Sequence, residues 1–278
     1  MYGKLKEFLT NAPKKFVEII KEKANMLNIL KQKTIRLILL QDCMYNCEFC
    51  HKEGIKTKKE SLMTPEDIGY MFSVLNNRYG IKTVQLTGGE PLLKENLKEI
   101  ITNLRKHGAN IKITTNGYLL RENMWIGEMI DKLNISLHSF NEKKYESITT
   151  VENSYERVVS AINKIRFKYP TLKMSINTTL LKGINDNFAS IQELISFASS
   201  IKADLKIVEV YPKTSRYFTS IFNIEPYTLM EIIIFSYKCV LVVLYLNKVI
   251  KQNFARKIMI YLLVKMEELT CVEQQMIQ

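Results

Sequence analysis

Three cysteines within eight residues, Cys43, Cys47 and Cys50, stand in a C-x3-C-x2-C spacing just after an apolar run. Three thiolates on one tight loop can each ligate one iron of a [4Fe–4S] cluster, which leaves the fourth iron open to a substrate or cofactor. The neighbouring His51 keeps a second chemistry open, because thiolates and an imidazole also close a tetrahedral zinc site. Downstream lie four more polar or glycine-bearing stretches: Leu86-Thr87-Gly88-Gly89-Glu90-Pro91, Ile113-Thr114-Thr115-Asn116-Gly117, Leu133-Asn134-Ile135-Ser136-Leu137-His138-Ser139 and Lys182-Gly183-Ile184-Asn185-Asp186. Paired glycines let backbone carbonyls approach a ligand closely, and hydroxyls such as Thr114 and Ser136 can bond a ribose or a carboxylate. Asn116-Gly117 reads equally well as an ordinary turn.

These residues need a scaffold, and the apolar pattern supplies one. Strands are expected at Ile35–Leu40, Thr83–Leu86, Asn110–Thr114, Leu133–Leu137, Leu172–Leu180 and Leu205–Tyr211. Helical patterns fall between them, at about Pro65–Arg78, Glu95–His107, Arg121–Asp131, Glu142–Phe167 and Phe188–Ser200. Repeated β-then-α units demand a parallel sheet, so the fold class is α/β, a partial (β/α)6 TIM-type barrel over residues 33–212. Residues 1–32 read as a basic amphipathic helical extension and 213–278 as a helical tail. Within the tail Ile232–Leu246 is almost wholly apolar and reads as a helix closing the barrel. Each motif falls at or just past a strand end, where barrels of this kind build their active sites.

The cysteine spacing, with Phe49 before its last cysteine, resembles the signature of the radical S-adenosylmethionine (SAM) enzymes. The four later stretches, in this order, make residues 33–212 similar to the GTP 3′,8-cyclase family of molybdenum cofactor biosynthesis, its archaeal-type branch above all. The resemblance implies one [4Fe–4S] cluster on Cys43, Cys47 and Cys50, with SAM bound by Phe49, Gly88, Gly89, Glu90, Thr114 and Ser136. It also implies a lyase-type reaction: reductive cleavage of SAM to a 5′-deoxyadenosyl radical, then hydrogen abstraction from a small substrate of the nucleotide class. Arg36 matches a family arginine on the GTP phosphates, and Asn177, Lys206 and Glu209 are expected around the same mouth. An electron donor such as ferredoxin or flavodoxin would complete the system.

Several positions depart from that family. Thr83, Gln85 and Ser175 stand where basic phosphate-binding residues are expected. Past residue 50 the sequence holds only Cys239 and Cys271, without the cysteine triplet of the family's second cluster. A metabolite or peptide substrate, or a regulatory relative without turnover, is the alternative reading. His138 stands where most relatives carry Asp, and no general acid or base is assigned.

Bulk properties narrow the setting. Five cysteines, three of them clustered, and no apolar leader in the first residues point to a reducing, cytoplasmic interior. The net charge of +12 favours anionic partners. Its lysines are spread along the chain as solvated helix faces, without the interleaved aromatics of a nucleic-acid groove. Fifteen apolar residues are short of the roughly twenty a membrane span requires.

Overall fold

The computed structural model describes residues 34–50, 63–210, 216–217 and 219, together with the backbone of 242–245. The expected extension at 1–32, His51 and most of the tail lie outside the described residues. Seven parallel strands form one sheet in sequence order: β1 (Thr34–Ile38), β2 (Thr83–Thr87), β3 (Asn110–Thr115), β4 (Lys132–Ser136), β5 (Lys173–Leu180), β6 (Asp204–Glu209) and β7 (Val242–Tyr245). The first six lie within a residue or two of their expected positions. The seventh is a correction: Val242–Tyr245, inside the stretch expected to be helical, pairs in parallel with β6. A run rich in β-branched residues suits a strand as well as a helix, and periodicity alone does not separate the two.

Register and alternation give the sheet two unlike faces. One face carries Val84, Leu86, Ile111, Ile113, Leu133, Ile135, Met174, Ile176, Leu205 and Ile207, all buried under the helices. Each such side chain contributes about 1.5–3 kcal/mol on full burial. The opposite face holds Arg36, Gln85, Lys112, Thr114, Asn134, Ser136, Asn177 and Lys206, linked by neighbouring registers. Strand side chains alternate between faces, so the sheet presents a polar wall on its inner side.

Among the described residues the α-helices are α1 (Pro65–Tyr79), α2 (Leu97–Lys106), α3 (Ile126–Met129), α4 (Glu142–Thr149), α5 (Ser154–Lys168) and α6 (Phe188–Ser200). Helix α1 starts where expected: Thr64 and Asp67 form a reciprocal capping box, and Gly80 ends it in the left-handed region. Two helices differ from expectation. The single helix expected over Glu142–Phe167 breaks into α4 and α5, because Thr150 and Asn153 take φ of 60° and 56°. Thr149, Thr150 and Val151 are β-branched and favour that break. Of Arg121–Asp131 only Ile126–Met129 is α-helical, after a series of turns. Asn123 there donates to the Leu119 carbonyl and accepts from Trp125 Nε1, local bonds that compete with a helix.

Candidate functional site

The cysteine loop leaves the C-terminal end of β1. Cys43 and Cys50 are exposed, Cys47 is half-buried, and none of the three is in a disulfide. Two side chains between the cysteines hold the loop. Tyr45 is buried, its hydroxyl 3.2 Å from that of Tyr145 on α4, with its ring edge-on to Tyr118. Glu48 accepts from Arg216 and Tyr217, beyond β6. Phe49 joins a small apolar cluster with Ile148, Leu181 and Val210, and stands edge-on to His138 at 4.9 Å.

The Gly88-Gly89-Glu90 loop after β2 lies directly against this segment. Gly89 N–H donates to the Leu40 carbonyl at 2.9 Å, and Glu90 N–H to the Asp42 carbonyl at 2.8 Å. A Cβ on Gly88 would meet Leu40 O at 2.4 Å, and one on Gly89 would meet Asp42 O at 2.2 Å. These glycines make a close backbone approach to the lead-in of the cysteines, whereas the approach expected of them was to a ligand. Glu90, expected among the SAM contacts, is fully buried. Its carboxylate accepts from Leu92 N–H, from the Thr115 hydroxyl and, at 2.7 Å, from Asn116 N–H. Burial outweighs these donors and pushes its carboxyl up to about 7. Asn116-Gly117 is indeed a turn, with Gly117 at φ 82° and Asn116 Oδ1 accepting from Tyr118 N–H.

The inner wall collects the remaining candidates. Thr114 accepts from Gln85 Nε2 at 2.9 Å, while Ser136, Asn177 and Lys206 stand in one register row across β4, β5 and β6. Asn177 Oδ1 is buried with no hydrogen-bond partner among the described residues. Burial lowers the Lys206 ammonium's pKa, and the positive charges of Arg36, Lys132 and Lys112 lower it further. Arg36 lies on β1, at the far edge from β6, so the sheet must curl for the two to interact. Lys112 and Lys132 were missed in the sequence because each reads as one more solvated lysine, and only strand register puts them on this wall. Lys132 is bonded to Asp204 at 2.8 Å. Glu209 is a correction: it lies on the helix-facing side of β6 and is 3% exposed. His138 accepts from Thr179 N–H through Nδ1 and is held neutral by burial, its pKa lowered to about 4.

The donor set fits an iron–sulfur cluster. Burial, then the charges of Cys50 and Cys43, push the Cys47 thiol up to about 12; a bound cationic centre reverses that balance and deprotonates the thiols. Among the described residues no three ligating side chains converge on one point.

Residues 37–197, more than half of the chain, match the radical SAM superfamily. The chain belongs to that superfamily. Its members use a [4Fe–4S] cluster and SAM. Among curated proteins it is similar to one from Pyrobaculum aerophilum named probable GTP 3′,8-cyclase, 35% identical over 73% of this chain and 65% of that one. A protein of the same name from Methanocaldococcus jannaschii is 30% identical over 70% and 64%. The chain thus spans less than two thirds of these relatives' length. In fold it is similar to Streptococcus suis SuiB bound to SAM, with a TM-score of 0.63, 16% identity and coverage of 89% and 60%. A radical SAM methyltransferase from Sphaerobacter thermophilus gives 0.62 at 15% identity, over 77% of this chain and 66% of that one. The partial barrel is the fold shared with both. Among the described residues no helix is long and apolar enough to cross a membrane.

Proposed function

We propose that this radical SAM enzyme binds one [4Fe–4S] cluster on Cys43, Cys47 and Cys50, cleaves SAM reductively, and acts on an anionic substrate of the nucleotide class in the manner of a GTP 3′,8-cyclase. When bound, the cluster and SAM supply one-electron reduction of a sulfonium and a 5′-deoxyadenosyl radical; the electron comes from a donor of the ferredoxin or flavodoxin type. The protein's own residues position the reactants. Gly88 and Gly89 fasten the cysteine loop to β2, and their backbone borders the SAM site. Thr114 accepts two side-chain N–H bonds, from Gln85 and Asn134, which leaves its hydroxyl proton for a ligand oxygen. Ser136 and the Asn177 amide offer a hydroxyl and an acceptor beside it.

One observation carries the substrate class: Arg36, Lys112 and Lys206 share the inner wall, where Lys132 is already paired with Asp204. Positive side chains gathered on one wall set a field that favours an anionic ligand over a neutral or cationic one. The cations expected at Thr83, Gln85 and Ser175 are thus replaced by others on the same wall. The test is anaerobic reconstitution, then dithionite and SAM with and without GTP, with 5′-deoxyadenosine and nucleotide products quantified by mass spectrometry. A GTP-dependent product supports the reading. Cleavage of SAM with no nucleotide consumed would move the substrate to another metabolite or peptide, and no cleavage at all would leave a regulatory relative.

A further inference from the structure

One buried side chain connects the Gly-Gly-Glu loop to a cysteine sulfur. Asn116, 9% exposed, is fixed at three points. Its backbone N–H donates to Glu90 Oε2 at 2.7 Å, and its Oδ1 accepts from Tyr118 N–H at 2.9 Å. The third point is Nδ2, which lies 3.5 Å from Cys43 Sγ and 3.1 Å from Met44 Sδ. An amide whose oxygen already holds a backbone N–H cannot flip without losing that bond, so the NH2 group is committed to the sulfurs. Tyr45 N–H approaches the same Cys43 sulfur at 3.4 Å. Two N–H donors therefore meet on one sulfur.

A donor on a ligating sulfur draws electron density from it and favours the more negative, reduced form of an iron–sulfur cluster. We infer that Asn116 is a positioning residue for the cluster, which holds the Cys43 sulfur and makes the bound cluster easier to reduce. Glu90 orients it: a carboxylate bonded to Thr115 and to Asn116 keeps the turn, and hence the NH2 group, in place. This rests on the cluster reading above, and adds to it a residue outside the three cysteines.

The test uses the full chain, reconstituted anaerobically, as wild type, Asn116→Ser and Asn116→Asp. Serine is uncharged and can still cap Tyr118 N–H as a short hydroxyl turn, but it is too short to reach the sulfur. Aspartate keeps the Oδ1 acceptor and exchanges the donor for a negative charge. The readouts are iron and sulfide per chain and the midpoint potential from a titration followed by electron paramagnetic resonance. N116S should hold its cluster at a more negative potential than wild type, and N116D at a more negative one still. A wild-type potential in N116S with full iron overturns the inference. Loss of iron in both variants also overturns it, since Asn116 would then serve loop folding alone. Wild-type protein that takes up no iron overturns the cluster reading itself, and that control separates the two failures.

Discussion

Replacing Gly89 by alanine should damage the cysteine loop more than any direct ligand contact. The added Cβ would stand 2.2 Å from Asp42 O and 2.4 Å from Gln41 O, where ordinary contact begins at 3.4 Å. Both atoms are backbone, so one strand connection must retreat by about 1 Å from the other. Such overpacking costs about 1–3 kcal/mol. The retreat also breaks Gly89 N–H to Leu40 O and Glu90 N–H to Asp42 O, each worth about 1 kcal/mol net. The sum is about 3–5 kcal/mol, a large part of the roughly 5–15 kcal/mol that holds a domain together. At about 2–4 °C per kcal/mol, the melting temperature of the metal-free chain should fall by about 6–20 °C, and iron uptake should fall with it. Gly183→Ala is the control. Its φ of 74° imposes strain, but nothing lies within 4 Å of its Cβ position, so the loss should be about 1 kcal/mol. A Gly89→Ala chain that melts with wild type and loads a full cluster would refute the reasoning.

Cys47→Ala leaves two thiolates on the loop and should abolish both cluster loading and SAM cleavage, read as iron content and 5′-deoxyadenosine. Glu90 carries a pH signature: its carboxyl, raised from 4.5 to about 7 by burial, holds its proton more tightly folded than unfolded. The stability this adds is complete below about pH 4.5 and is lost as pH rises through 7, about 3 kcal/mol in all; melting of metal-free Glu90→Gln should lack that decline, and parallel curves would sink the assignment. Asn185, fully buried, bonds Leu181 N–H and the His138 and Thr179 carbonyls; Asn185→Ala should cost about 3 kcal/mol in chemical denaturation. Lys206→Met should raise the KM for an anionic substrate at least tenfold while uncoupled SAM cleavage persists, and equal loss of both would demote the wall to a structural role.

The strands were legible because each is a short apolar run bounded by turns, and the parallel order followed from helices between them. The α1 start was legible for a different reason, since Thr64, Pro65 and Asp67 carry the whole cap in local sequence. Where the chain chose between equal local options, the reading failed: the β-branched Thr149–Val151 interrupts a helix, and Val242–Tyr245 pairs as a strand. The cysteine loop was plain from spacing alone. Lys112 and Lys132 were not, because they meet Arg36 and Lys206 only through the register of distant strands. Glu209 was misplaced by one position of alternation, which is enough to send a side chain to the other face. The Lys182–Asp186 motif also changed meaning: its Asn185 ties the ends of β4 and β5 together from within.

The two faces of the sheet separate what the protein must keep from what it can exchange. Leu86, Ile113, Leu133 and Ile176 are fully buried and carry the packing, so a substitution among them is felt by the whole domain. Gln85, Lys112, Ser136 and Asn177 alternate with them along the same strands, yet hold little of that packing. A lineage could therefore recolour the inner wall residue by residue, trading one ligand for another, while the scaffold and the cysteine loop above it stayed untouched. In this chain the cations stand on β3, β4 and β6 where β2 and β5 were expected to supply them, which is what such drift would leave behind.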